Sequence, residues 1–297
     1  MSGPGFRLDR MATLYFYWPI SRVLSRGNVN RIPILMYHTV HERSSDPRPY
    51  FETSVSPRVF AKQMRQLHSR GYSAVSLEEA LQALGTGRDD RKRVVITFDD
   101  GYHDFYENAF PVLSELQFTA TVFLMTGYMG DDVSPFKGRD CLTWKEVREL
   151  HSHGISFGSH TVKHPQLKFL TSDELTEELA TSKKTIEDRL GAAVRSFSYP
   201  YAFPEADGTF IRLMRETMLS CGYENGVTTI LGTANSRSDR FFLPRLPVNN
   251  WDDPRFFQAK LEGGYNWLHG AQYLSKFVEK LRSRRLPGKR QTVPASR

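Results

Sequence analysis

The sequence predicts an α/β barrel, and three observations carry the prediction. Short apolar, β-branched runs recur at 34–37, 94–98, 120–124, 155–158, 196–199 and 226–229. Helical patterns separate them, and strands joined through helices pair in parallel. The chain has 297 residues, 39% of them hydrophobic, enough for one catalytic barrel of about 250 residues. No internal repeat is visible.

Taken in order, residues 11–20 are apolar apart from Thr13 and contain Tyr15-Phe16-Tyr17-Trp18. The run is too short to span a bilayer, which takes about 20 apolar residues. It also lacks the small-residue cleavage site of a signal peptide. An interfacial helix or a hydrophobic strap on the barrel fits it better. The run at 34–37 follows as the first strand. Residues 57–71 place Phe60, Met64 and Leu67 on one helical face. Val94-Val95-Ile96 leads into Thr97-Phe98 as a buried strand that Gly101 breaks. Thr171-Ser172-Asp173-Glu174 forms a capping box opening a helix to Leu190, and Gly191 stops it.

The net charge of +7 is unevenly placed. Residues 276–297 hold eight Lys and Arg against one Glu, residues 1–32 hold five Arg against one Asp, and the body between is left at −4. A nucleic-acid binder lines a folded face with positive charge, which this distribution does not do. Basic ends are instead drawn to anionic lipid head groups. The expected organisation is therefore an N-terminal basic and aromatic segment (1–31), a barrel (32–275) and a basic, partly disordered tail (276–297). Cys141 and Cys221 form neither a disulfide framework nor a metal-ligand spacing. A cytoplasmic monomer, peripheral to the inner membrane, is the expectation.

Two stretches carry the chemistry, Thr97-Phe98-Asp99-Asp100-Gly101 and Ser159-His160-Thr161-Val162-Lys163-His164-Pro165. A catalytic zinc keeps three protein ligands and an open position, so two carboxylates and two histidines leave one acidic group to act as base on a bound water. The carboxylates follow a strand, where both can turn to a common pocket. The i, i+4 spacing of His160 and His164 predicts one side of a helical turn that Pro165 ends. His41, His68, His103, His151, His153 and His269 read as surface or hydrogen-bonded side chains.

These motifs resemble those of the NodB-homology polysaccharide deacetylases, carbohydrate esterase family 4. The resemblance runs from about Ile32 to Asp253 and includes Pro33-Ile34-Leu35-Met36-Tyr37-His38 and Thr119-Ala120-Thr121-Val122-Phe123. It implies a distorted (β/α) barrel with fewer closed strands than the ideal eight. It further implies that Asp99 is the catalytic base and that Asp100, His160 and His164 hold the metal, zinc foremost, with Co2+ or Ni2+ as alternatives. The family's third motif appears as Ser198-Tyr199-Pro200-Tyr201, without its arginine. Arg245 is the expected replacement and Arg195 the competing one. The chain also lacks the C-terminal histidine motif. The resemblance to circularly permuted exopolysaccharide deacetylases gives the general-acid role to His38. First and last strands of a closed barrel are neighbours, so such a relocation keeps the place in space.

The resemblance implies hydrolysis of the N-acetyl group of an amino sugar in a polysaccharide or a lipid-linked glycan, with the Tyr201 N–H in the oxyanion hole. Pro200 belongs to the same substrate-binding segment, and Tyr201, Phe203 and Trp251 read as groove walls. Two other classes stay open: a deformylase of the same fold acting on a lipid-linked amino sugar, and a glycan-binding homologue without activity.

Overall fold

A computed structural model describes residues 7–24, 30–42, 54–86 and 91–285. Seven strands form its centre: β1 (Ile34–Tyr37), β2 (Lys92–Phe98), β3 (Thr121–Leu124), β4 (Ser156–Ser159), β5 (Ser196–Ser198), β6 (Asn225–Leu231) and β7 (Leu243–Pro247). Each pairs in parallel with the next, from Ile34 opposite Val95 to Ser196 opposite Asn225. Leu246 of β7 lies opposite Leu35 of β1, which closes the barrel. The strand Tyr72–Ala74 adds to the outside, beside Lys92–Val94.

Strand side chains alternate between two faces. Leu35, Tyr37, Ile96, Phe98, Val122 and Leu124 pack outward against the helices. The partners include Phe60, Met64 and Leu67 of α2 (Pro57–Ser69), which follows the N-terminal helical segment α1 (8–24), so the expected helical face is the buried one. The alternate set, Ile34, Val95, Phe123, Val227 and Leu243, fills the interior and meets Leu77, Ala80 and Leu84 of α3 (Leu77–Gly85). Further along β2 and β7 this inward set continues as Thr97, then Asp99, and as Arg245. The interior therefore turns from apolar to polar toward the carboxyl ends of the strands.

The remaining helices are α4 (Phe110–Glu115), α5 (Trp144–Ser152), α6 (Ser172–Leu190), α7 (Gly208–Ser220), α8 (Pro254–Leu261) and α9 (Leu268–Arg285). Thr171 and Glu174 cap α6 reciprocally, and Gly191 ends it in the left-handed conformation at φ 65°. Helix α9 runs through the expected boundary at 276 as far as Arg285; residues 286–297 lie outside the described residues.

The N-terminal segment is helical. Leu8–Ala12, the π-helical Thr13–Tyr17 and Trp18–Leu24 follow one another and are together α1. It straps onto α8 and the start of α9. Arg10 pairs with Asp253 at 2.6 Å, and Trp18 donates to Glu262 at 2.8 Å. The Tyr17 ring stacks on Trp267, whose indole N–H reaches the Thr13 hydroxyl. Among the described residues no helix is long and apolar enough to cross a membrane.

Candidate active site

The two carboxylates leave β2 in different directions because the backbone turns between them. The Asp99 N–H donates to the Tyr37 carbonyl at 3.0 Å and so extends the ladder. Asp100 and Gly101 then adopt φ of 72° and 67°. A left-handed Asp costs free energy, and at Gly101 a Cβ would both strain the left-handed backbone and lie 2.8 Å from Cδ2 of Leu124, which would have to shift. Asp99 thus points into the barrel, and Asp100 faces the loop after β4.

That loop is not the helical turn its spacing predicts. Thr161 and His164 have φ of 72° and 55°, and 160–166 carries no helical hydrogen bonding. Side chains satisfy its N–H groups instead. Ser159 Oγ accepts from Thr161, Thr161 Oγ1 accepts from His164, and the carboxylate of Glu178 on α6 accepts from Val162 and Lys163 at 2.8 and 3.0 Å. The i, i+4 periodicity fails because these local acceptors favour a folded loop over a helix.

The loop nevertheless brings the imidazoles together. His160 Nε2 and His164 Nε2 each lie 3.4 Å from Asp100 Oδ1, and the three ligand atoms fall within 4.8 Å of one another. His160 Nδ1 lies 2.7 Å from the Ser198 carbonyl. A carbonyl only accepts, so Nδ1 carries the proton and Nε2 turns a lone pair inward. Asp100 Oδ1 is buried without a hydrogen-bond donor among the described residues. Such an orphaned anionic oxygen facing two imidazoles fits a divalent cation. Burial opposes ionisation of Asp100, but His160, His38 and His164 hold it at about 2. Burial and the neighbouring His160 push His164 down to about 3, the neutral form a ligand needs.

Asp99 has a different partner. Arg245, fully buried, donates to both its oxygens at 2.8 and 2.7 Å. The guanidinium also donates to the Thr228 carbonyl and to the hydroxyls of Thr97 and Ser198, and Ser198 donates to Asp99. Burial raises the Asp99 carboxyl, yet Arg245 above all outweighs it and holds it well below the usual range. His38, directly after β1, sits with Nε2 3.8 Å from Asp99 Oδ2, and burial lowers its pKa despite that carboxylate. Arg195 is at the surface, paired with Glu224 and Glu78.

The fold agrees with comparisons to known proteins. A family model described as polysaccharide deacetylase matches residues 86–225. YxkH of Bacillus subtilis, assigned to the polysaccharide deacetylases, is 32% identical over 236 residues, 78% of this chain and 76% of its own length. The chain belongs to the polysaccharide deacetylase family. The poly-beta-1,6-N-acetyl-D-glucosamine N-deacetylase of Staphylococcus aureus is 26% identical over 206 residues, covering 66% of this chain and 68% of that protein. Among solved structures, the Streptococcus pyogenes deacetylase PplD, in complex with acetate, superposes with a TM-score of 0.68 at 28% identity, over 79% of this chain and 99% of PplD. IcaB from Ammonifex degensii gives a TM-score of 0.64 at 25% identity, over 78% and 97%. This deacetylase is accordingly a hydrolase of carbon–nitrogen bonds, and its Asp–His–His cluster suits the metal dependence of the family.

Around the deacetylase site, Tyr201 is left-handed at φ 59° and places its half-exposed ring 4.5 Å from His164. Pro200 before it is buried. A short hairpin, Pro135–Phe136 paired with Arg139–Asp140, brings the Phe136 ring to 5.5 Å from His164 and sets Lys137 over the rings of Phe136 and Tyr201. Sequence reasoning missed this hairpin, and it missed Glu178. Phe203 is a core residue, buried against Tyr199, Phe210 and Phe242, and so forms no groove wall. Trp251 lies in the loop after β7, and none of the described hydrogen bonds or ring contacts joins it to the cluster. Among the other histidines, His103 pairs with Glu107 and Glu146, and His269 with Glu205.

Proposed function

We propose that this deacetylase removes the acetyl group from N-acetylglucosamine-type residues of a glycan, with Asp99 as the general base and His38 as the general acid. The observation that carries the reading is the division of labour between adjacent carboxylates: Asp99 is clamped by Arg245, while Asp100 faces two imidazoles. Asp100, His160 and His164 would hold the metal, and zinc is the ion their oxygen and nitrogen donors suit best. When bound, that ion polarises the amide carbonyl and lowers the pKa of water.

The remaining work falls to the chain. Asp99 stays ionised because the guanidinium faces it, and so accepts a proton from the attacking water. Arg245 fixes the direction of that carboxylate by holding both oxygens. The backbone N–H of Tyr201 stabilises the developing oxyanion, and the segment Pro200-Tyr201 with Trp251 contacts the sugar. In its imidazolium form His38 donates a proton to the leaving nitrogen, a transfer its lowered pKa favours, and acetate and the free amine result.

The test is acyl release from N-acetylated and N-formylated amino sugars, as soluble oligomers and lipid-linked forms. Acetate from the N-acetyl substrates is the expected product. Formate release alone would make the chain a deformylase, and no release from any substrate would leave only glycan binding.

A further inference from the structure

The solvent side of α1 is apolar where a helix on a globular enzyme is ordinarily polar. Leu8, Tyr15, Phe16, Ile20 and Val23 are each more than half exposed. The acidic and basic residues of the first turns point elsewhere: Asp9 is buried against Arg7 and Tyr265, and Arg10 is bound to Asp253. Thr13 and Leu14 supply the face that packs on the barrel. The helix therefore buries one side and presents a second hydrophobic side outward.

Beside that outer face lies a cavity of about 330 Å³ between α1, the end of α2 and α8, lined by Trp18, Arg22, Arg70, Arg255, Gln258 and Glu262. Among the described residues three guanidinium groups share it with one carboxylate. Glu262 accepts from Trp18 at 2.8 Å and Gln258 at 2.7 Å and pairs with Arg22 at 3.7 Å, which leaves Arg70 and Arg255 as the uncompensated charges of the lining. The cavity thus keeps a positive balance suited to a phosphate. Two of its arginines border the apolar face, Arg255 over the Tyr15 ring and Arg22 over Trp18.

Aliphatic side chains outermost, aromatic rings beside them and arginines at the edge are the order of polarity across one leaflet of a bilayer. A neutral glycan would need a row of hydrogen-bonding groups, and of the five exposed side chains only Tyr15 carries one. A second copy docked by two-fold symmetry would set the arginines of the cavity near their own equivalents, which costs free energy. We propose that α1 lies in the interfacial layer of an anionic lipid bilayer, with its outer face among acyl chains and a lipid phosphate in the pocket of Arg22, Arg70 and Arg255. Asp253, the partner of Arg10, ends the loop that leaves the carboxyl end of β7. The helix therefore begins on the side of the barrel that carries the site and runs along α8 to Glu262 at its other end, so the docked barrel lies on its side. The proposal is independent of which acyl group the site removes.

The experiment is co-sedimentation of the full chain with vesicles of phosphatidylcholine, with or without roughly a third phosphatidylglycerol. Binding to the anionic vesicles and little to the neutral ones is expected. Phe16→Glu with Ile20→Glu should abolish it, and Arg22→Glu with Arg255→Glu should weaken it at least about tenfold. Both variants should keep the wild-type circular dichroism and acetate release from a soluble oligomer. Wild-type protein that ignores anionic vesicles, or variants that bind as well as wild type, would overturn the proposal. So would sedimentation showing a dimer that the Phe16→Glu, Ile20→Glu variant dissolves.

Discussion

Arg245 donates to both carboxylate oxygens of Asp99, at 2.8 and 2.7 Å, from a strand 146 residues further along the chain. The pair is buried, and so are the groups that complete the guanidinium's bonds, Thr97, Thr228 and Ser198. A base held this way is aimed and ionised at once.

Replacing Arg245 by Ala strands a buried carboxylate, which costs about 3–5 kcal/mol of stability. Asp99 has a depressed pKa in the folded state, so the ion pair stabilises at neutral pH and is lost as pH falls below the ordinary carboxylate range. Without Arg245 the Asp99 pKa rises, and the acidic limb of the rate profile should shift to higher pH. Thermal unfolding and a pH series of acetate release measure both. An unshifted limb would mean that Arg245 does not govern the base.

His38 should matter in proportion to how poor the leaving group is. His38→Ala is expected to slow hydrolysis of an N-acetyl sugar by roughly 10²–10⁴-fold, and to slow that of an activated acetate ester far less. Equal losses on both substrates would remove the general-acid role.

The ligand set makes a separate demand. His160→Ala and His164→Ala should each lose bound metal and activity together, as elemental analysis of the purified variants would show. Glu178→Gln should instead keep a metal site weakened by roughly 10–100-fold, because Glu178 holds the loop and touches no ligand atom. Unaltered metal affinity in Glu178→Gln would show that the loop needs no such brace.

Asp104 provides a test of stability away from the reaction. Its Oδ1 is buried without a hydrogen bond among the described residues, and burial raises the carboxyl to about 6. A raised carboxyl favours the folded state when protonated, so its contribution is present at low pH and lost as pH rises through about 6. Asp104→Asn should therefore stabilise the protein at pH 8 by about 1–3 kcal/mol and change little at pH 4. A gain of the same size at both pH values would contradict this.

Most of the barrel was legible in the sequence because its strands are short apolar runs buried on both faces. Leu243–Pro247 was harder. Pro244 and Pro247 lack an N–H, and the register against β6 shifts between Val227 and Leu231. Tyr72–Ala74 is brief and only partly buried, which leaves little pattern to read. The placement of Asp99 and Asp100 at a strand end followed from Gly101, whereas the His160 loop misled. Its conformation depends on Glu178, which a helix brings from fourteen residues beyond His164, and spacing alone carries no trace of that contact. The resemblance pointed to Arg245. No local pattern around Leu243-Pro244-Arg245 shows that a charged side chain will turn into a barrel.

The most direct measurement takes Asp99→Asn and compares its bound metal and its acetate release from an N-acetylglucosamine oligomer with those of the wild type. Asp99 lies against Arg245 and outside the ligand set, so the variant should bind metal as the wild type does and lose roughly 10²–10⁴-fold in rate. Loss of the metal in Asp99→Asn, with the metal retained in Asp100→Asn, would contradict the division of roles between the two carboxylates.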